Sequence, residues 1–167
     1  EGTLKFGISS SYPNEYTFLA ASPFPWLEAV YRYAEVKNLK YGPASFSGNQ
    51  SLKDKGFDIK LRVLKESYYL PNVAVGIRDM AGTGIFSSEY LVASKKIGSF
   101  DLSLGLGWGT LGADGNVRNP FISIDNRFES RLNSSSGQGG DFNNQFWFSG
   151  KRAALFGGLE YSLYRYG

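Results

Sequence analysis

The side chains that could carry chemistry in this sequence are charged residues that recur at every second position. Asp58, Lys60 and Arg62 alternate with apolar residues between Gly56 and Lys65. Successive side chains of an extended strand point to opposite faces, so these charges share one face. The same alternation elsewhere predicts a polar, mixed-sign surface whose candidate lumen-lining residues are Glu28, Arg32, Asp58, Lys60, Arg62, Arg78, Glu89, Lys95, Asp101 and Glu160.

Two interpretations of this charged surface are open. It could contact ions or a polar polymer, or its charges could form cross-strand ion pairs in a closed lumen. The second is favoured because neighbouring opposite charges commonly satisfy one another. Two carboxylates could also form a glycosidase pair, but no local pattern marks one. The absence of His and Cys removes the commonest general base and all thiolate chemistry. We therefore predict no catalytic residues, no metal site and no cofactor.

Three further motifs are interpreted structurally. Residues 107–112 satisfy the G-x-G-x-x-G pattern, yet a turn signal follows where a dinucleotide site needs a helix. Residues 114–116 and 125–126 carry possible calcium-binding oxygens but match no complete loop pattern, so turns are expected there. Residues 119–124 are apolar enough to enter a lumen or to form an extra hairpin.

The apolar residues of the same segments predict a second, lipid-facing surface. The candidates are Phe57, Ile59, Leu61, Val63, Leu102, Leu104, Leu106 and Trp108. Segments of about 10 residues with this alternation match the length of a strand that crosses a bilayer. We predict about nine strands, at residues 3–10, 15–21, 26–35, 56–65, 72–79, 86–95, 100–109, 143–149 and 153–164.

The lengths of the connections support an up-and-down arrangement. Short joins follow the second, fourth, sixth and eighth predicted strands, whereas long outer loops are expected at 36–55 and 110–142. Bacterial barrels alternate short periplasmic turns with long outer loops in this way. The predicted fold class is therefore all-β: a single unit over 1–167, forming an antiparallel up-and-down transmembrane β-barrel or a segment of a larger one.

Length and charge set the remaining limits. The chain has 167 residues, enough for one domain, and a net charge of +3 without a long basic run, so no nucleic-acid partner is expected. No stretch approaches the ~18 consecutive apolar residues of a membrane-spanning helix. The first residues do not form a signal peptide.

Several long stretches give the chain a resemblance to a known family. Residues 1–7, 23–29, 69–79, 82–95 and 104–109 are similar to the YjbH family, predicted outer-membrane β-barrel proteins linked to exopolysaccharide and group 4 capsule production in Gram-negative bacteria. Family members are several times longer, with a lipoprotein signal upstream and more barrel downstream. The resemblance therefore implies an N-terminal fragment, and it supplies no catalytic residues.

These observations predict a non-catalytic protein of the bacterial outer membrane that acts in exopolysaccharide or capsule secretion or surface assembly. The expected partners are outer-membrane lipid, a polysaccharide and other exopolysaccharide-secretion proteins. A soluble β-sandwich that binds carbohydrate through aromatics such as Trp26 and Trp108 is the alternative. A polysaccharide-modifying hydrolase is the third possibility.

Overall fold

The computed structural model describes residues 2–82, 84, 86–131 and 146–163. These residues form a nine-stranded antiparallel sheet, in which seven consecutive strands pair with their sequence neighbours before β9 and then β8 complete the order. The strands are Thr3–Ser11 (β1), Asn14–Phe24 (β2), Leu27–Lys40 (β3), Ser51–Leu64 (β4), Asn72–Arg78 (β5), Ser88–Ile97 (β6), Phe100–Gly109 (β7), Val117–Arg118 (β8) and Arg152–Tyr161 (β9).

Helical structure is confined to short connecting segments. One helical turn, Ala44–Ser47 (α1), lies between β3 and β4. Three 3₁₀ turns, Thr110–Gly112, Pro120–Ser123 and Asn126–Glu129, follow β7. No helix in the described part of the chain is long and apolar enough to span a bilayer.

The connections segregate by length between the two ends of the sheet. Residues 25–26, 65–71 and 98–99 join strands at one end, called here the short-turn end. Residues 41–50, 79–87 and 110–151 connect strands at the other, the long-loop end, together with the tight 12–13 turn. The predicted loop 36–55 is shorter than expected because β3 and β4 pair further outward, with Val36 opposite Leu52.

The sheet places most of its apolar side chains on a face that is not covered. Within the described residues, Leu4, Leu104 and Leu159 are exposed by 70%, 59% and 63%. Some charged residues of the opposite face are buried instead, with Arg32 and Asp54 each only 2% exposed. This arrangement reverses the usual preference for apolar residues in the interior. We call the two surfaces the apolar face and the charged face.

Two of the predicted strands differ from the structure. Residues 146–149, in the predicted eighth strand, form a turn, while residues 143–145 lie outside the described part of the chain, as does residue 164 of the predicted ninth. Alternation in the second predicted strand places Tyr16, Phe18 and Ala20 on the apolar face. In the structure these residues lie on the charged face, because Phe18 pairs with Arg32. Among the described residues the sheet is open, because β1 pairs only with β2 and β8 only with β9.

Aromatic rings on the charged face lie over glycines of neighbouring strands. Tyr90 is opposite Gly76 and Phe156 is opposite Gly105. A Cβ atom added to either glycine would overlap the ring of its partner. The missing side chain therefore lets the ring pack flat against the sheet, which offsets the weak strand propensity of glycine.

We predict that Gly76→Ala destabilises the folded protein by about 1–3 kcal/mol, because the new methyl group displaces the Tyr90 ring. The midpoint of thermal unfolding of the complete natural protein in detergent measures the effect. Gly158→Ala is the matched control, since a Cβ atom added at Gly158 would have no neighbouring atom within 4 Å. Equal midpoints for the two variants would contradict this packing role.

Candidate functional site

The register of the sheet brings most of the predicted charged residues onto the charged face. Cross-strand partners share a face, and Glu28 is opposite Lys60 in β4, which is opposite Gly76 in β5. Asp101 of β7 is opposite Glu160 of β9, so two like charges are neighbours there. The residues placed together on this face are Glu28, Arg32, Asp58, Lys60, Arg62, Arg78, Asp101 and Glu160.

Glu89 and Lys95 are exceptions, and their predicted place beside the other charges is wrong. Glu89 pairs with Ile77 and Trp108, which belong to the apolar face. Lys95 pairs with Leu102 on that same face. Its ammonium group reaches the short-turn end, where it lies 3.5 Å from Glu66 and donates to the carbonyl oxygen of Tyr68 at 3.1 Å. It therefore stabilises the turn between β4 and β5.

Arg32 is the centre of a buried ion cluster near the long-loop end. Its guanidinium nitrogens lie 3.6 Å from Asp54, 3.7 Å from Asp58 and 3.6 Å from Asp79. The same group lies over the Phe86 ring, 5.5 Å from its centroid. The cluster joins β3, β4 and the 79–87 connection, so it fixes the register of β3 against β4 and holds the connection against both strands.

Asp79 is held in this cluster by an unusual backbone conformation. Its φ angle is 56°, in the left-handed region. Its amide donates to Asp58 Oδ1 at 2.9 Å, and its own Oδ2 accepts from the Phe86 amide at 3.2 Å. Burial, and then the negative charge of Asp54, raise the pKa of the Asp79 carboxyl above its usual range, while Arg32 opposes the shift.

Charges at the short-turn end of the charged face behave differently. Within the described residues, Lys60, Arg62 and Glu28 form neither an ion pair nor a side-chain hydrogen bond. By contrast, Arg78, at the end of β5 next to the 79–87 connection, has an ion partner, Asp58, at 3.8 Å. The interpretation as cross-strand ion pairs therefore holds around Arg32, and the short-turn end leaves its cations available to other groups.

On the apolar face, residues of the long connection cover Glu89 and Trp108. Arg131 donates to both carboxylate oxygens of Glu89, at 2.7 and 2.9 Å. Trp108 is fully buried, with Phe121 stacked on its ring at 5.3 Å and Phe148 edge-on at 5.2 Å. Its predicted exposure to lipid is therefore wrong, because protein covers it at this end of the strand.

Asn119 organises this covering segment. Its side chain is 1% exposed and donates to the carbonyl oxygens of Phe128, Phe148 and Gly150. It also accepts from the Phe121 amide at 3.1 Å, which caps the 3₁₀ turn that starts at Pro120. The expected extra hairpin or lumen insertion of 119–124 is thus a turn packed on the apolar face. An Asn before a Pro was the available sequence signal.

The arrangement offers polar contacts more than reactive groups. Within the described residues, no set of three or more His, Cys, Asp or Glu side chains could hold a metal ion. Carboxylates of the Arg32 cluster face a guanidinium and backbone donors, which hold them in position. The charged face can therefore stabilise the sheet at one end and contact a polar ligand at the other.

Comparisons with known proteins agree with the sequence resemblance. The family model YjbH, described as an exopolysaccharide biosynthesis protein, matches residues 1–165. The lipoprotein YjbH of Escherichia coli strain K12 is 48% identical over 162 residues. That match covers 96% of this chain and 23% of the relative, so the chain spans about a quarter of the relative's length. No solved structure matches the chain.

We predict that Arg32→Met destabilises the protein by about 3–5 kcal/mol at neutral pH, because the buried carboxylates of Asp54 and Asp79 lose the positive charge of Arg32. Arg78→Met is the control and should cost much less, since Arg78 is partly exposed and lies 3.8 Å from one carboxylate. Unfolding midpoints of the complete protein in detergent distinguish the two variants.

The same variant should show a pH dependence of known sign. A carboxyl whose pKa is higher in the folded state than in the unfolded state stabilises the folded state at a pH below its unfolded-state pKa. That contribution is lost as the pH rises through the folded-state pKa. Without Arg32, the raised pKa of Asp79 should rise further, so acidification should reduce the difference in unfolding midpoint between Arg32→Met and the wild type. A difference in midpoint that does not change with pH would contradict this role of Arg32.

Proposed function

The chain belongs to the YjbH family of exopolysaccharide biosynthesis proteins, and from this membership we propose that it is part of an outer-membrane β-barrel. In this proposal the barrel acts in exopolysaccharide or capsule secretion or surface assembly. The charged face lines a polar interior, and the apolar face contacts lipid. The protein guides a glycan and carries out no bond chemistry.

The observation that carries this proposal is the reversed burial of the sheet. Leu4, Phe6 and Ile8 are exposed on β1, as are Leu104 and Leu159 on β7 and β9. Large exposed apolar surfaces mark contact with lipid or another protein. A soluble β-sandwich would cover this face with a second sheet, and the described residues form one sheet only. The sandwich alternative therefore has less support.

Exposed aromatic side chains at the short-turn end add support for a bilayer. Tyr68 and Tyr69 meet edge to face at 4.7 Å, and Phe100 contacts its cross-strand partner. The two tyrosines are 86% and 87% exposed. Aromatic girdles of this kind lie at the membrane interface of transmembrane barrels. The short-turn end would thus be periplasmic and the long-loop end external.

The open edges of the sheet fit a larger assembly. Lipid cannot satisfy the unpaired backbone groups of an edge strand, so a sheet in a bilayer closes into a barrel. Because the chain spans 23% of its relative, other segments of such a protein would supply the strands that pair with β1 and close the circuit. The relative's description as a lipoprotein supports a membrane location.

The remaining parts of the proposal concern partners and chemistry. Outer-membrane lipid, a polysaccharide and other exopolysaccharide-secretion proteins are the partners that this role requires. The engagement of Asp54, Asp58 and Asp79 with Arg32 supports a non-catalytic role over the hydrolase possibility, because general acid and base groups must reach a substrate.

We predict that Leu104→Arg prevents membrane assembly, because a charge on a lipid-facing position costs about 2–4 kcal/mol near the bilayer centre. Ser103→Arg is the matched control: the residue is adjacent, is on the charged face, and receives the same side chain. Outer-membrane fractionation and heat-dependent gel mobility of the complete protein measure assembly. Equal behaviour of the two variants would contradict a lipid-facing apolar face.

A second prediction concerns orientation. A protease site inserted after Asn49, in the 41–50 connection, should be cut when protease is added to intact cells, because this loop lies at the long-loop end. The same site inserted after Gly98, in the short turn between β6 and β7, should be protected until the outer membrane is opened. Cleavage after Gly98 alone would reverse the proposed orientation.

A further inference from the structure

A cavity of about 290 Å³ opens on the charged face at the short-turn end. This volume is close to the lower limit of small-molecule sites, about 300–1,000 Å³. The cavity lies between the turn that joins β2 and β3 and the polar residues of β4 and β5. Side chains that define its chemistry are Phe24, Trp26, Glu28, Lys60, Arg62 and Asn72.

The cationic side chains that line this cavity have no ion partner among the described residues. Lys60 and Arg62 line it together with a single carboxylate, Glu28, so positive charge is in excess. Within the described residues none of these side chains forms an ion pair. Arg32, further along the same face, is surrounded by carboxylates at 3.6–3.7 Å. The cavity therefore favours an anionic ligand.

One wall of the cavity is aromatic. The rings of Phe24 and Trp26 are parallel within 4° and 5.3 Å apart, and both residues are half exposed. The electron-rich face of an indole attracts the polarised C–H groups of a sugar ring. An ion such as phosphate has no apolar surface that could pack on such a wall. The combination of an aromatic wall and cationic side chains therefore selects a ligand with both an apolar ring face and a negative charge.

Asn72 adds an unsatisfied polar group beside this wall. Its Oδ1 atom is buried and accepts no hydrogen bond from the described residues. A buried acceptor without a donor is costly, and Asn72 lines the cavity, so a donor on a ligand would relieve that cost. A ligand hydroxyl could then donate to it, and another could donate to the Glu28 carboxylate.

We propose that this cavity binds an acidic sugar unit of a glycan. The sugar ring packs on Trp26, its carboxylate pairs with Lys60 and Arg62, and its hydroxyls contact Glu28 and Asn72. The proposal rests on the glycan-handling function above and names the substrate class of its polar interior. In the proposed orientation the cavity lies at the periplasmic mouth of the barrel, where a polymer would first meet the charged face.

The test is calorimetric titration of the complete protein in detergent with an oligomer of glucuronic acid and with a neutral glucose oligomer of equal length. We expect the acidic oligomer to bind more tightly. Lys60→Gln combined with Arg62→Gln should weaken its binding about tenfold or more, since charge-assisted contacts are lost. Lys96→Gln is the control, because Lys96 is on the same face and does not line the cavity.

Three further measurements complete the test. Trp26→Ala should weaken binding of both oligomers, whereas added salt should weaken only that of the acidic one. Lys60→Gln alone, at an exposed position, replaces the double variant if the latter does not fold. Equal affinity for the two oligomers, or an unchanged affinity in the Lys60 variant, would overturn the proposal.

Failure of this proposal and failure of the barrel proposal give different results. If Leu104→Arg assembles as well as Ser103→Arg while the acidic oligomer binds as expected, the lipid-facing role is wrong and the cavity assignment stands. If Leu104→Arg and Ser103→Arg behave as predicted and the Lys60 and Arg62 variants leave binding unchanged, only the cavity assignment is wrong.

Discussion

Alternation of side chains between the two faces of each strand is the constraint on which the rest of this structure depends. Because partners in an antiparallel pair share a face, one register carries the same division across the whole sheet. Cross-strand pairing places Ile59, Ile77 and Trp108 side by side on one face, and it places Lys60 and Gly76 side by side on the opposite face. The division leaves apolar side chains exposed on one face and gathers polar ones on the other, which water alone does not favour.

The charged face has two regions with different roles. Around Arg32, the guanidinium pairs with carboxylates that also accept from backbone donors, and these contacts hold β3, β4 and the 79–87 connection together. At the short-turn end, Lys60 and Arg62 have no such partners within the described residues. Buried charges that are paired stabilise register, whereas available ones can meet a ligand. Stability and recognition are thus separated along the length of the strands.

The sequence predicts this division well where one strand has a single clear parity. Both β4 and β7 alternate apolar and polar residues along most of their length, and their faces are as predicted. In β6, Glu89 and Lys95 share a parity with Leu91, so the charges suggest one face and the apolar residue the other. Only the neighbouring strands decide, by placing Leu91 opposite Leu106. The apolar Leu91, in the middle of the strand, therefore indicates the faces of β6 correctly, and the two charged residues do not.

The covering of Trp108 could not be predicted from periodicity, because it depends on a loop. Arg131 and Phe148 are distant in sequence from the strand they cover. Asn119 holds the segment through the Phe148 backbone carbonyl, and Arg131 donates to the carbonyl oxygen of Phe146. The face of β2 has a similar explanation: the Phe18 ring lies over Gly7, a space that exists only after β1 and β2 have paired.

Spin labels at single positions of the complete protein in lipid bilayers test the central claim most directly. Labels at Leu61, Leu104 and Leu159 should be accessible to oxygen dissolved in the bilayer. Labels at Lys60, Ser103 and Gly158, on the opposite face, should be accessible to a water-soluble nickel complex. Alternation of the two accessibilities along β4, β7 and β9 is the predicted result. Equal accessibility of both faces to the nickel complex would contradict the account.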